Sequence, residues 1–180
     1  MLGRAYLHGE GVSVDTKNAV QFLTRGAQAG DDLAETYLGD IYRVGVGVPK
    51  DVQKAFDLYL AAARQGNALA EFRLGSMYSG GVGIKRNYAE AYHYFEASAQ
   101  QGYPFAQVAV ADCLASGDGV QANVVNAFAY LVLADRAGNL IARKQKDRFS
   151  QHLTGDQMDA AMALVQQYTG RVARVSMEAE

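Results

Sequence analysis

RVGVGVPKD, residues 43–51, sets two glycines one residue apart among valines and follows them with a proline, a lysine and an aspartate. Such a stretch reads either as a glycine-rich cradle for a phosphate or as a bend between two helices. The rest of the chain decides. The pattern returns as LHGEGVSVD (7–15), SGGVGIKRN (79–87) and ASGDGVQAN (115–123), each copy 36 residues from the last. A phosphate loop normally occurs once, follows a strand and opens a helix whose N-terminus faces the anion. Here every copy follows a helix-like segment and none ends in Gly-Lys-Ser/Thr, so the bend is the reading that stands.

The chemistry of the bend follows residue by residue. Gly9, Gly45, Gly81 and Gly117 can end a helix by taking positive φ, and Gly11, Gly47, Gly83 and Gly119 let the backbone turn back. Val12, Val48, Ile84 and Val120 are placed to fill the space between the two helices. Asp15, Asp51, Asn87 and Asn123 stand where a side-chain oxygen can cap the next helix. Thr154-Gly-Asp-Gln157 has the spacing of a capping box.

Each unit then reads as two helices. In LAETYLGDIYR (33–43), Ala34, Leu38, Ile41 and Tyr42 form an apolar stripe of helical period, with Tyr42 expected in the core. In VQKAFDLYLAAARQG (52–66), Ala55, Phe56, Tyr59, Ala62 and Ala63 share one side and Gly66 ends the helix. Gly39 interrupts the first helix, as do Gly3 and Gly75. A mid-helix glycine costs about 1 kcal/mol relative to alanine, and close approach of a neighbouring helix is the expected reason.

A chain of 180 residues with 49% apolar side chains can bury a substantial core as one domain or one continuous array. Its formal charge of −2 argues against a broad electrostatic footprint for nucleic acid or an anionic membrane. No run approaches the roughly 18 apolar residues of a membrane span. Cys113 is the only cysteine, which excludes an intrachain disulfide and fits a small buried thiol. His8, His93 and His152 fall in different phases, with no paired ligand spacing, so no metal site is expected. No Gly-x-Ser-x-Gly or Ser-x-x-Lys occurs, and neither catalytic residues nor a cofactor are expected.

The order Ala, Leu-Gly, Tyr, Gly-x-Gly-Val, Asp, Lys-Ala, aromatic, Ala-Ala, Gln-Gly runs through ALAEFRLGSMYSGGVG (68–83) and DVQKAFDLYLAAARQGN (51–67). It resembles the Sel-1-like repeat, a relative of the tetratricopeptide repeat, over about residues 1–139. The resemblance implies an all-α, right-handed α-solenoid (an alpha-alpha superhelix) of antiparallel helix pairs, serving as a scaffold for protein contacts, commonly in bacterial envelope, secretion or signalling systems. A single repeat domain is expected over 1–168, with repeats at about 1–30, 31–66, 67–102 and 103–138, a degenerate C-terminal cap at 139–168 and a tail at 169–180. Leu153 replaces the first turn glycine in that cap, and Ala111 and Leu114 replace Gly and Tyr in the fourth copy, so packing there is expected to differ. Met1 falls inside a first helix, so localisation stays open between the bacterial periplasm or envelope and the cytoplasm.

In tetratricopeptide-like arrays the first helix of each unit lines the concave surface. Carried over by phase, the groove-facing positions are Arg4 in unit one, Thr36, Asp40 and Arg43 in unit two, Phe72, Ser76, Ser79, Val108 and Asp112 in units three and four, and Lys144 and Arg148 in the cap. These suit a non-catalytic protein-interaction scaffold holding an extended peptide or a partner helix. The alternative is a hydrolase or a small-ligand-binding protein using the same groove. The expected partner is a protein or peptide, with no nucleic acid and no direct membrane insertion. Arg143, Lys144, Lys146 and Arg148 read as a solvated helix face. Phe72, Tyr88 and Tyr103 fit the core phases less clearly and are candidates for contact.

Overall fold

A computed structural model describes residues 2–178, with side chains for residues 2–170. Among them every regular element is a helix. The first compact unit, residues 1–86, carries α1 (Leu2–His8), α2 (Thr16–Gln28), α3 (Asp32–Val44), α4 (Val52–Arg64) and α5 (Ala68–Gly80). The second, residues 87–180, carries α6 (Tyr88–Gln100), α7 (Pro104–Ser116), α8 (Val124–Arg136), α9 (Leu140–Ser150) and α10 (Gly155–Glu178).

The turns are built from the residues that the repeat pattern singles out. Gly45 caps α3 in the left-handed conformation at φ 86°, and its N–H donates to the Ile41 carbonyl at 2.8 Å. A side chain with Cβ resists that conformation by about 1–2 kcal/mol. The turn is then locked from its far side, because Asp51 N–H reaches back to the Tyr42 carbonyl at 2.9 Å. Asp15 to Tyr6 (2.9 Å) and Asn123 to Leu114 (2.8 Å) repeat that bond. Asp15, Asp51, Asn87 and Asn123 cap the following helices with their side chains, as the spacing predicts. A second set of caps lies in another phase: Asp31, Asn67 and Asn139 accept from the N–H of Ala34, Ala70 and Ala142. Their counterpart Tyr103 provides α7 with no side-chain cap, and Pro104 follows it.

In the first unit Leu23, Ala34, Leu38 and Ile41 form a core with Leu7, Val20, Tyr37 and Tyr42 packed around it. Tyr59 is fully buried beside them. Its ring lies against the backbone of Gly39, where an ideal Cβ would stand 2.7 Å from Tyr59 Cε1. Gly3 shows the same arrangement, 2.6 Å from Leu23 Cγ. The mid-helix glycines at these two positions therefore mark helix–helix approach, as expected. Tyr42 departs from expectation. It is half-buried, and its phenol oxygen accepts from Lys54 Nζ at 2.8 Å, which draws the ring's polar end to the surface.

In the second unit Phe128, Ala129 and Val132 of α8 pack with Ala161 and Val165 of α10. Leu153, in the place of a turn glycine, is half-buried against this cluster: it fills space instead of bending the chain. Thr154 and Gln157 complete the predicted capping box, Thr154 N–H donating to Gln157 Oε1 (2.9 Å) and Gln157 N–H to Thr154 Oγ1 (3.3 Å). Cys113 is buried on α7, and burial pushes its thiol up to about 11. Helix α10 runs through most of the segment expected as a tail; residues 179–180 lie outside the described residues.

Candidate functional site

On α3, Asp40 and Arg43 stand three residues apart and so share a face. Tyr59 of α4 reaches them from beneath. Its apolar ring is interior, and its hydroxyl, which must find a partner when buried, donates to Asp40 Oδ1 at 2.7 Å. Arg43 Nε donates to the same hydroxyl oxygen at 3.3 Å and lies 3.7 Å from Asp40 Oδ1. From α5, Arg73 holds both carboxylate oxygens, Nη2 to Oδ2 at 3.0 Å and Nε near Oδ1 at 2.8 Å. Two-point engagement of this kind fixes geometry as well as charge. Two guanidinium groups thus face one carboxylate. It borders a recess of about 140 Å³ lined by Arg43, Arg73, Ser76, Met77 and Val82. Burial, and then the charge of Asp40, lift the Tyr59 phenol well above its ordinary range. The cluster holds protons firmly and is suited to gripping an acceptor-rich group.

Two repeats later, on α7, Asp112 accepts from Gln145 Nε2 of α9 at 3.0 Å. Asp40–Arg73 and Asp112–Gln145 each join residues 33 apart. These positions thus serve as rungs between successive first helices, besides presenting polar groups to solvent.

The structure sorts the expected groove residues. Asp40, Arg43 and Ser76 come together around the α3–α5 recess. Arg4 is exposed and paired with Glu10 at 2.9 Å. Asp112, Lys144 and Arg148 are exposed, and Phe72 and Ser79 half-buried. Thr36 and Val108 are corrected: both are interior, at 0% and 8% exposure, and the Thr36 hydroxyl donates to the Asp32 carbonyl. Four residues along a helix is about 40° of rotation, and that turn carries this phase inward from the Asp40 row. Within the basic group, Arg143 Nε pairs with Asp135 at 2.8 Å, and Lys146 binds the other oxygen of the same carboxylate. Those two contacts, Lys146 first, hold Asp135 below the usual carboxylate range. Tyr88 is exposed and Tyr103 half-buried.

Sequence reasoning missed Arg73 and the polar role of Tyr59. The 33-residue spacing between opposite charges was the available signal for Arg73. Among the described residues, no group of three His, Cys, Asp or Glu could hold a metal ion, and no helix is long and apolar enough to cross a membrane.

A family model for the Sel1 repeat matches residues 1–31, 32–67, 68–103 and 104–139. The chain belongs to the Sel1 repeat family. A crystal structure of a Sel1 repeat protein from Oxalobacter formigenes is 31% identical, covering 99% of this chain and 71% of that one at a TM-score of 0.77. The fold is also that of c5321, a protective antigen of uropathogenic Escherichia coli displaying an SLR fold: 23% identity, 98% and 47% coverage, TM-score 0.58. A comparison with curated proteins returns no match. The fold class is the all-α solenoid of Sel1 repeats, built from helix pairs of about 36 residues. Members of the family serve generally as protein-interaction scaffolds.

Proposed function

We propose that this Sel1 chain is a non-catalytic scaffold, residues 1–168 working as one repeat domain, that holds a partner polypeptide along the exposed faces of its first helices. The observation that carries the reading is the α3–α5 cluster: a carboxylate locked by Tyr59 and Arg73, the half-buried Arg43 guanidinium beside it, and a small recess with Met77 and Val82 as its apolar wall. A rigid polar group beside an apolar notch fits an extended, acceptor-rich segment that sets one side chain into the notch. Arg43 and Ser76 make the contact in the first unit; Asp112, Lys144 and Arg148 offer further polar contacts in the second.

The test is site-specific cross-linking. A photoreactive residue at Ser76 should give a discrete polypeptide adduct in the source cells, one at the exposed Gln53 of α4 should not, and Arg43→Glu should abolish the Ser76 adduct while the protein, though less stable, stays folded by circular dichroism. Equal adducts from both positions, or an adduct indifferent to Arg43→Glu, would overturn the assignment. Retention of a small metabolite alone, seen by native mass spectrometry, would turn the reading toward ligand binding.

A further inference from the structure

Two polar pairs close the α3–α5 junction. Asn67 Nδ2 donates to Asp32 Oδ2 at 2.7 Å, and Gln65 Nε2 donates to Glu35 Oε2 at 2.9 Å. Two repeats later the corresponding residues are Asn139 with Pro104, and Ala137 with Gln107. Both pairs are lost: proline offers no acceptor side chain and alanine no amide. Asn139 is only 8% exposed, and its Oδ1 is used to accept from the N–H of Ile141 and Ala142. Its Nδ2 donors are left without the carboxylate that Asp32 gives Asn67. Gln107, 4% exposed, has a buried Oε1 with no hydrogen-bond partner.

A recess of about 340 Å³ opens at this place, walled by Pro104, Phe105, Ala137, Asn139, Leu140 and Ile141. Phe105, Leu140 and Ile141 are large and exposed. Helices α7 and α9 both begin here, and neither has an acidic residue in its first turn, whereas α3 has Asp32 and Glu35 and α5 has Glu71. The N–H of Ala106 lacks the side-chain acceptor that Ala34, Ala70 and Ala142 each have. Helix N-termini favour negative charge, and here the chain supplies none.

We infer that this recess binds the C-terminal residue of a partner polypeptide, an apolar side chain carrying a free carboxylate. The carboxylate occupies the place that Asp32 fills in the first unit, accepting from Asn139 Nδ2 at the helix starts. The side chain lies on Phe105, Leu140 and Ile141. A chain terminus fits better than an internal acidic residue, because its carboxylate and its apolar side chain leave one Cα, and the recess sets its polar and apolar walls within one residue's reach. The inference shares with the scaffold reading only the premise of a polypeptide ligand, and uses none of the Asp40 cluster.

The probe is N-acetyl-leucine titrated into isotope-labelled protein, read at the Asn139 side-chain amide and the Ala106 N–H by NMR. Saturable shifts at both are expected, with binding at least about tenfold weaker for N-acetyl-leucinamide, which lacks the charged acceptor. Pro104→Asp copies the first unit's own carboxylate and should weaken N-acetyl-leucine at least about tenfold while leaving the thermal midpoint unchanged or higher. Leu140→Ser, on the surface, should weaken it about threefold or more. Asp40→Asn, in the other unit, should bind as the parent does, so that failure here is separable from failure of the Asp40 surface. The inference falls if N-acetyl-leucine gives no saturable shift or the amide binds equally. It also falls if the α-amide of N-acetyl-glutamic acid binds as tightly, or if folded Pro104→Asp and Leu140→Ser both bind normally.

Discussion

The α3–α4–α5 group and the α7–α8–α9 group solve one packing problem with different side chains. In the first, glycine at 39 admits a tyrosine ring, and the tyrosine hydroxyl then anchors Asp40, which anchors Arg73. In the second, the same three positions hold Ala111, Leu131 and Gln145, and Asp112 keeps a single neutral partner. Leu131 is as deeply buried as Tyr59 but has no hydroxyl to present. A change at one small residue is therefore matched across three helices. The lesson is that glycine, ring and ion pair behave as one unit of substitution.

Four experiments would break or sharpen that comparison, each read as a shift in urea unfolding. The largest effect is expected from Tyr59→Ala, about 3–5 kcal/mol, because a fully buried ring is lost and Asp40 loses its donor. Tyr42→Ala should cost clearly less, since Tyr42 is half-buried; an equal loss would contradict the placement of the two rings. Next, Gly39→Ala should destabilise by about 1–3 kcal/mol through overpacking against the Tyr59 ring. Adding Tyr59→Leu recreates the Ala111–Leu131 pairing, so the double variant should be more stable than the sum of the two single losses. Strict additivity would show that the residues do not substitute as a unit.

Third, Asp40→Asn should cost about 1.5 kcal/mol, and Asp112→Asn less than about 1 kcal/mol, since only the former loses charge-assisted partners. The fourth test is alkaline. Burial raises the Cys113 thiol from 9.0 to about 11 and lifts the Tyr59 and Tyr92 phenols above 10.0. The folded protein therefore holds protons that the unfolded chain releases, and stability present below pH 9 declines as pH rises, by up to about 1.4 kcal/mol per pH unit per group. The onset near pH 9 belongs to Cys113; Cys113→Ala should move it toward pH 10. An onset that Cys113→Ala leaves in place would assign it elsewhere.

Local chemistry was readable from the sequence, and spatial chemistry was not. Gly45 with Asp51 reports its own backbone conformation and capping, and the 36-residue recurrence multiplied that signal. The Asp40–Arg73 pair depends on how α3 and α5 are rotated about their axes, which no short window encodes. The same uncertainty of rotation sent Thr36 and Val108 to the surface on paper, although a shift of about 40° suffices to bury them. Tyr59 was legible as an apolar ring but not as a hydrogen-bond donor, because its partner sits 19 residues away on another helix.

Helices α2 to α8 are all 13 residues long, and the turn bonds fix the spacing between them. Length is thus a kind of reading frame. One residue inserted inside any of these helices would swing everything beyond it by about 100° and turn oily faces to water, whereas gaining or losing a whole repeat keeps every rung in step. Such a gene can grow or shrink by duplication far more readily than it can absorb a single extra codon.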